Sequence, residues 1–114
     1  MKGYWSLPGG VLETGETLKE GIRREVVEET GLVVEPVAVA EIFERIMPDA
    51  EGRTEYHYVL IDYLCEVTGG SLCSGDDCSA VRWFAMSELP GLVLTAGTLG
   101  VIEKVYETYK RRSP

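Results

Sequence analysis

Apolar positions along this chain alternate between helical and strand spacing, and the changes mark its elements. Leu18, Ile22 and Val26 recur at the period of a helix face. Thr17 and Glu20 form a Thr-x-x-Glu capping box and Gly31 supplies a left-handed stop, so the predicted helix runs from Leu18 to Thr30. Residues 32 to 46 are rich in Val and Ala, with Pro36 limiting the early part, and predict a strand near Val37 to Ile46. After the polar connection Pro48 to Arg53, Tyr56 to Val67 alternates and is aromatic and β-branched, the pattern of a strand pairing antiparallel with its predecessor.

The flanks are shorter. Gly3 to Leu7 reads as the end of a strand entering the Pro8-Gly9-Gly10 turn, and Ala80 to Phe84 as another short strand. Ser87 to Pro90 fits a tight turn or one helical turn. Leu99, Ile102, Val105, Tyr106 and Tyr109 then predict a last helix from about Thr98 to Arg111, with Lys110, Arg111 and Arg112 suited to the negative end of its dipole. Two helices around a mixed sheet make the predicted class α/β (α+β), a layered sandwich. Neither an internal repeat nor a low-complexity segment interrupts the chain.

Size and charge narrow the partners. With 114 residues and 45% apolar content, one packed domain spanning 1–114 is expected. A net charge of −8 with 11 Lys and Arg leaves no basic stripe for DNA, RNA or an anionic membrane, which points to a small-molecule partner. No apolar run reaches about 18 residues and no signal segment opens the chain, so a cytoplasmic setting is the default expectation. Cys65, Cys73 and Cys78 are odd in number, and with His57 as the one histidine they fall short of a zinc site; free thiols are expected.

The candidate chemistry sits on the first helix. Glu25, Glu28 and Glu29 relate as i, i+3 and i+4, so three carboxylates share one sector of its surface. Acidic clusters on helices are usually solvated faces. Here the apolar stripe of Leu18, Ile22 and Val26 occupies the same sector, which brings the acids to the edge of the buried face. Crowded, part-buried carboxylates are costly unless a hard divalent cation such as Mg²⁺ neutralises them.

The wider pattern is more specific. Gly10, five residues, Glu16, seven residues, Arg24-Glu25-Val26, one residue, Glu28-Glu29, one residue and Gly31-Leu32 fill a fixed series of positions. Trp5-Ser6-Leu7-Pro8-Gly9-Gly10 leads into it, and Val81-Arg82-Trp83-Phe84 with Glu88-Leu89-Pro90 stands near the end. On these residues the chain resembles the Nudix hydrolases, closely over 3 to 32 and more loosely beyond. The resemblance implies an α/β/α sandwich and a Mg²⁺- or Mn²⁺-dependent hydrolase. Its implied reaction is water attack on the pyrophosphate of a nucleoside diphosphate linked to another group, ADP-ribose or related, or of nucleoside triphosphates.

Several roles follow from the resemblance. The Gly10 carbonyl goes to the metal, Glu28 and Glu29 are its principal ligands, and Glu25 is a further ligand or the general base. Arg24 pairs with Glu16 to orient loop and helix; the plainer alternative is a surface pair with Glu20 or Glu28. Asp77, beside Asp76 in a Gly-rich loop, is either a loop acid that joins the metal or ordinary turn chemistry. Pro48, sixteen residues past Leu32, resembles a proline spacing of ADP-ribose-cleaving relatives. His57 between Tyr56 and Tyr58 reads as a packed or hydrogen-bonded imidazole, and Glu13 as solvated.

Substrate-binding residues stay unassigned, since Tyr4, Trp5, Phe43, Tyr56, Tyr58 and Trp83 could stack on a base or serve the core. Relatives usually carry one or two strands before the segment matching Gly3 to Gly10, whereas this chain begins almost at the motif. Either the start is truncated or a partner subunit covers the sheet edge, so a homodimer or a marginally stable monomer is expected. The rival to an active enzyme is a catalytically weak nucleotide-binding or regulatory module, against which the intact Glu25, Glu28 and Glu29 argue.

Overall fold

The computed structural model describes residues 4–73 and 81–112. Helix α1, Leu18–Thr30, has the predicted bounds, and local chemistry sets both. Thr17 Oγ1 accepts from the Glu20 N–H at 3.2 Å, and Glu20 Oε1 accepts from the Thr17 N–H at 3.0 Å. At the other end Gly31 turns left-handed, φ 79°, and donates its N–H to the Val27 carbonyl. A Cβ there would lie 2.4 Å from the Ser71 carbonyl oxygen, so the stop also depends on close passage of the chain beyond the second strand.

Strands β1, Leu32–Pro48, and β2, Thr54–Gly70, form one antiparallel ribbon. Both are longer than their alternation predicts. Pro36 is accommodated beside an irregularity, the register shifting between Pro36 and Ala38, where a missing N–H breaks no regular ladder. Leu32, Val34 and Pro36 alternate inward, and Leu32 and Val34, together with Leu89, are the buried apolar residues of the described chain. Arg23 on α1 grips Glu35 of β1 at 2.8 Å, which ties the helix to the strand.

After β2 the chain makes a 3₁₀ helix η1, Met86–Gly91, the helical one of the two alternatives read for Ser87 to Pro90, and ends in helix α2, Thr98–Arg112. Lys104 of α2 reaches Glu41 of β1 at 2.7 Å. The two flanking strands are corrections. Trp5 makes an isolated parallel bridge to Leu94 and nothing longer, because Pro8 and two glycines follow directly. Residues 81–84 hold no regular structure; a strand needs a partner, and none lies beside them among the described residues. Ala80 lies outside the described residues. The class is mixed α+β, with a two-stranded antiparallel sheet and one parallel bridge as its mixed part.

The ribbon stands out from the helices. The radius of gyration is 15.2 Å, against about 13 Å for a compact chain of this length. Val39, Ile42, Ile46 and Val59 stay exposed along it. No helix among the described residues is long and apolar enough to cross a membrane. Cys65 is a free thiol, as its count predicts, but Cys73 is disulfide-bonded, which corrects the expectation of free thiols throughout.

Candidate active site

Arg24 is the hub of the acidic helix. Its guanidinium forks onto Glu16, Nε to Oε2 at 2.6 Å and Nη2 to Oε1 at 2.9 Å, the planar two-point match that arginine alone offers a carboxylate. Nη1 also donates to Glu25 at 2.8 Å and to Glu28 at 3.3 Å, and Nη2 to the Val11 carbonyl at 3.1 Å. The Glu16 pairing and the Glu28 pairing therefore coexist, while Glu20 is committed to the helix cap. The same carboxylate of Glu16 accepts from the Glu13 N–H at 3.0 Å, fastening the loop between Gly10 and Thr17 to α1. Arg24 and these two contacts hold the Glu16 carboxyl down at about 2.

Glu13, expected to be solvated, is exposed, with Oε1 3.5 Å from Arg24 Nη1. Glu29 differs from its neighbours. It accepts from the Gly9 N–H at 2.8 Å, yet partial burial, with the nearby charges of Glu25 and Glu28, raises its carboxyl above the usual range despite that bond. An extra positive charge at this spot would reverse the balance.

Gly10 completes the arrangement. A Cβ on it would lie 2.5 Å from the Glu25 carboxyl carbon and from Oε1, so a bare main chain is what lets the turn approach the carboxylate. Among the described residues no group of three or more His, Cys, Asp or Glu side chains is gathered closely enough to hold a metal ion. Arg24 takes Glu25 and Glu28, while Gly9 takes Glu29. The donor set itself fits a hard divalent cation: three carboxylates within about one turn, one of them poorly compensated, against a glycine turn that offers carbonyl oxygen.

Residues predicted from the motif thus meet in two linked groups. Glu16, Glu25 and Glu28 surround the Arg24 guanidinium with Gly10 close against Glu25, and Glu29 joins through Gly9. Asp77, with Asp76, lies outside the described residues. His57 Nε2 lies 2.5 Å from Glu44 Oε2, a cross-strand contact on an exposed surface and away from these acids. The Gly9 N–H and the Val11 carbonyl are contributions that the motif does not flag, since main-chain groups carry no residue signature. Of the aromatic candidates, Trp5 packs edge-on against Phe84, 4.9 Å between ring centroids, and Tyr56 stacks on Tyr58 at 5.7 Å.

The chain belongs to the NUDIX domain family, whose profile matches residues 1–105. It is 34% identical over 111 residues to the ADP-ribose pyrophosphatase of Methanocaldococcus jannaschii, covering 97% of this chain and 60% of that protein. Against the 8-oxo-dGDP phosphatase NUDT18 of Mus musculus it is 33% identical over 106 residues, 90% of this chain and 30% of that one. The crystal structure of UDP-X diphosphatase superposes with a TM-score of 0.73 at 25% identity, over 97% of this chain and 53% of that one. The chain thus spans 60%, 30% and 53% of the three proteins it resembles. Members of the family act on small nucleotide substrates and generally use divalent metal ions.

Proposed function

We propose that this chain is a Mg²⁺- or Mn²⁺-dependent pyrophosphohydrolase acting on a nucleoside diphosphate linked to another group, ADP-ribose or a relative of it. The observation that carries the reading is the set of carboxylates of α1 held against the Gly9-Gly10 turn around Arg24. Three related proteins support the substrate class, since ADP-ribose, 8-oxo-dGDP and UDP-X each contain a nucleoside diphosphate.

In this reading Glu25, Glu28 and Glu29, with the Gly10 carbonyl, hold the cation. The bound ion supplies Lewis-acid polarisation of diphosphate oxygens and a more acidic water. A carboxylate of the same cluster takes the proton of the attacking water, and the phosphoanhydride bond breaks to leave two phosphate monoesters. Glu16 and Arg24 act by position: the fork at 2.6 and 2.9 Å holds the loop that carries Gly10 against α1. Arg24 also orients Glu25 and Glu28 through its Nη1.

The experiment is a substrate panel of ADP-ribose, dinucleoside polyphosphates, sugar nucleotides and nucleoside triphosphates, each assayed with Mg²⁺ and with Mn²⁺. Cleavage of ADP-ribose or a sugar nucleotide, absent without metal, is the expected result. Preference for triphosphates would move the substrate class, and a panel with no turnover would reject the enzyme reading.

A further inference from the structure

A cavity of about 370 Å³ lies over one face of the β1–β2 ribbon, with Ala40 and Asp62 on the strand side and Val101, Ile102 and Val105 of α2 on the other. The strand register says how Asp62 enters it. Asp62 and Glu41 are direct partners across the two strands, and partners in an antiparallel pair project on the same face. Lys104 of α2 reaches Glu41 at 2.7 Å, so that face is the one carrying α2. The Asp62 side chain is therefore directed beneath the helix, into an otherwise apolar space.

Two features narrow the occupant. Asp62 is the one charged side chain among the described residues of the wall, and none of them donates a hydrogen bond to its carboxylate. Glu41 beside it is already taken by Lys104. Burial and the Glu41 charge raise the Asp62 carboxyl, with Arg45 opposing them. A purely apolar occupant would strip water from this group and return nothing, whereas an occupant with an N–H donor satisfies it. The second feature is position. Leu7 also lines the cavity, and it directly precedes the Pro8-Gly9-Gly10 turn that meets Glu25 and Glu29. From Leu7 to Gly10 the chain spans at most about 11 Å, so one nucleotide can reach from the acids of α1 into this space. Tyr63, Tyr106 and Tyr109 add aromatic rings to its wall, suited to a flat heterocycle.

We propose that the cavity takes the base of the nucleotide substrate, and that Asp62 selects bases carrying an exocyclic amino group, adenine, guanine or cytosine, over uracil by accepting the amino N–H. The assignment rests on the hydrolase reading for the phosphate end of the ligand and adds to it a site for the other end. An amino group offers its hydrogen to a carboxyl oxygen directly. Uracil instead shows a single N–H flanked by two carbonyl oxygens, so a carboxylate meets an acceptor on either side of the donor. Asp62 thus sets specificity and takes no part at the phosphorus.

The test uses nucleosides, whose binding does not call on the acids of α1 because they carry no phosphate. Adenosine, purine riboside, which is adenosine without its amino group, and uridine are titrated into the full chain and followed by amide chemical shifts in NMR. Adenosine is expected to bind saturably and to shift the amides of Asp62 to Cys65 and of Val101 to Val105. Purine riboside and uridine should each bind at least about tenfold more weakly, since a site built around a hydrogen bond rejects ligands that cannot make it. Asp62→Ala should bring adenosine down to the level of purine riboside while leaving purine riboside within about threefold of its parent value. Should that variant fail to fold, the comparison of adenosine with purine riboside on the parent chain tests the same contact. Equal binding of these two nucleosides, shifts confined to residues outside the cavity, or an Asp62→Ala variant that keeps the preference would each overturn the proposal. A chain that cleaves the substrate panel yet gives one of those results loses this base site and keeps the hydrolase reading. Selective adenosine binding without turnover of the panel keeps the base site and removes the hydrolase reading.

Discussion

Gly10 and Glu25 stand so close that a methyl group on the glycine would lie 2.5 Å from the glutamate carboxyl carbon. Gly9, its neighbour, has nothing within 4 Å of the same construction. Two adjacent turn glycines are therefore unequal. Gly10→Ala is expected to push the Glu25 carboxylate aside and to lower kcat on the best substrate by at least about tenfold, since displacements near 1 Å cost rate steeply. Gly9→Ala should leave kcat within about threefold, there being no neighbour for the methyl to meet. Steady-state kinetics of the two variants beside their melting curves checks this, and equal losses would sink the distinction.

Glu28→Gln removes an anionic oxygen donor while keeping shape. On the proposed assignment it weakens Mg²⁺ or Mn²⁺ binding by on the order of a hundredfold and slows turnover accordingly. Isothermal titration of the ion into parent and variant reads the first effect directly. Chelation should silence the parent enzyme reversibly, with activity returning on addition of either ion. Unchanged turnover in the variant would reject the assignment.

Arg24 and Glu16 should act through position. Arg24→Ala frees Glu16, Glu25 and Glu28 at once, whereas Glu20→Ala removes half of a capping box. The expected signature is a kcat at least about tenfold lower for Arg24→Ala, while Glu20→Ala loosens the helix cap and costs little activity. Arg24→Lys should rescue poorly, because an ammonium cannot reproduce the two-point fork. Small and equal effects on kcat would remove the orienting role.

Acid should reveal the same pair. The Glu16 carboxyl is lowered from an ordinary 4.5 to about 2 in the folded chain. Its contribution to stability is complete above about 4.5 and fades as the pH falls toward about 2, where the folded state also takes up the proton. Denaturant unfolding of the parent and of Glu16→Gln should therefore differ most above pH about 5 and converge through this window. A difference that stays constant from neutral pH down to about 2 would contradict it.

Gly31 carries the stop of α1. It sits at φ 79°, and a Cβ would meet the Ser71 carbonyl oxygen at 2.4 Å. Gly31→Ala should cost more than about 1 kcal/mol in stability, combining left-handed strain with that contact. Calorimetric melting measures it, and a variant as stable as the parent would show that the passage of Ser71 over the helix end is not needed.

Much of this molecule was legible in one dimension. The bounds of α1 could be read because both caps are local: Thr17 meets Glu20 and Gly31 meets Val27 within four residues of chain. The acid cluster, its pairing with Arg24 and the reach to Glu16 were likewise legible, because helix spacing puts Glu25, Glu28 and Glu29 together and the family motif supplies the rest. The flanking strands were misjudged for the opposite reason. Trp5 finds its bridge at Leu94, a partner far along the chain, and residues 81–84 have the composition of a strand without a neighbour to pair with among the described residues.

The linear order of residues determined where the two helices begin, which acids share a face, and which family the chain joins, since all of these rest on short-range spacing and residue chemistry. Tertiary packing alone decided that the Glu16 and Glu28 pairings of Arg24 coexist and take in Glu25, that the Gly9 N–H claims Glu29, and that a side chain on Gly10 and not on Gly9 would meet Glu25. It also decided that the ribbon and α2 enclose a cavity lined by Ala40, Asp62 to Cys65, Val101, Ile102 and Val105 among others. Main-chain donors, close approaches and unpaired edges belong to every residue type alike, so they become visible when distant segments meet in space.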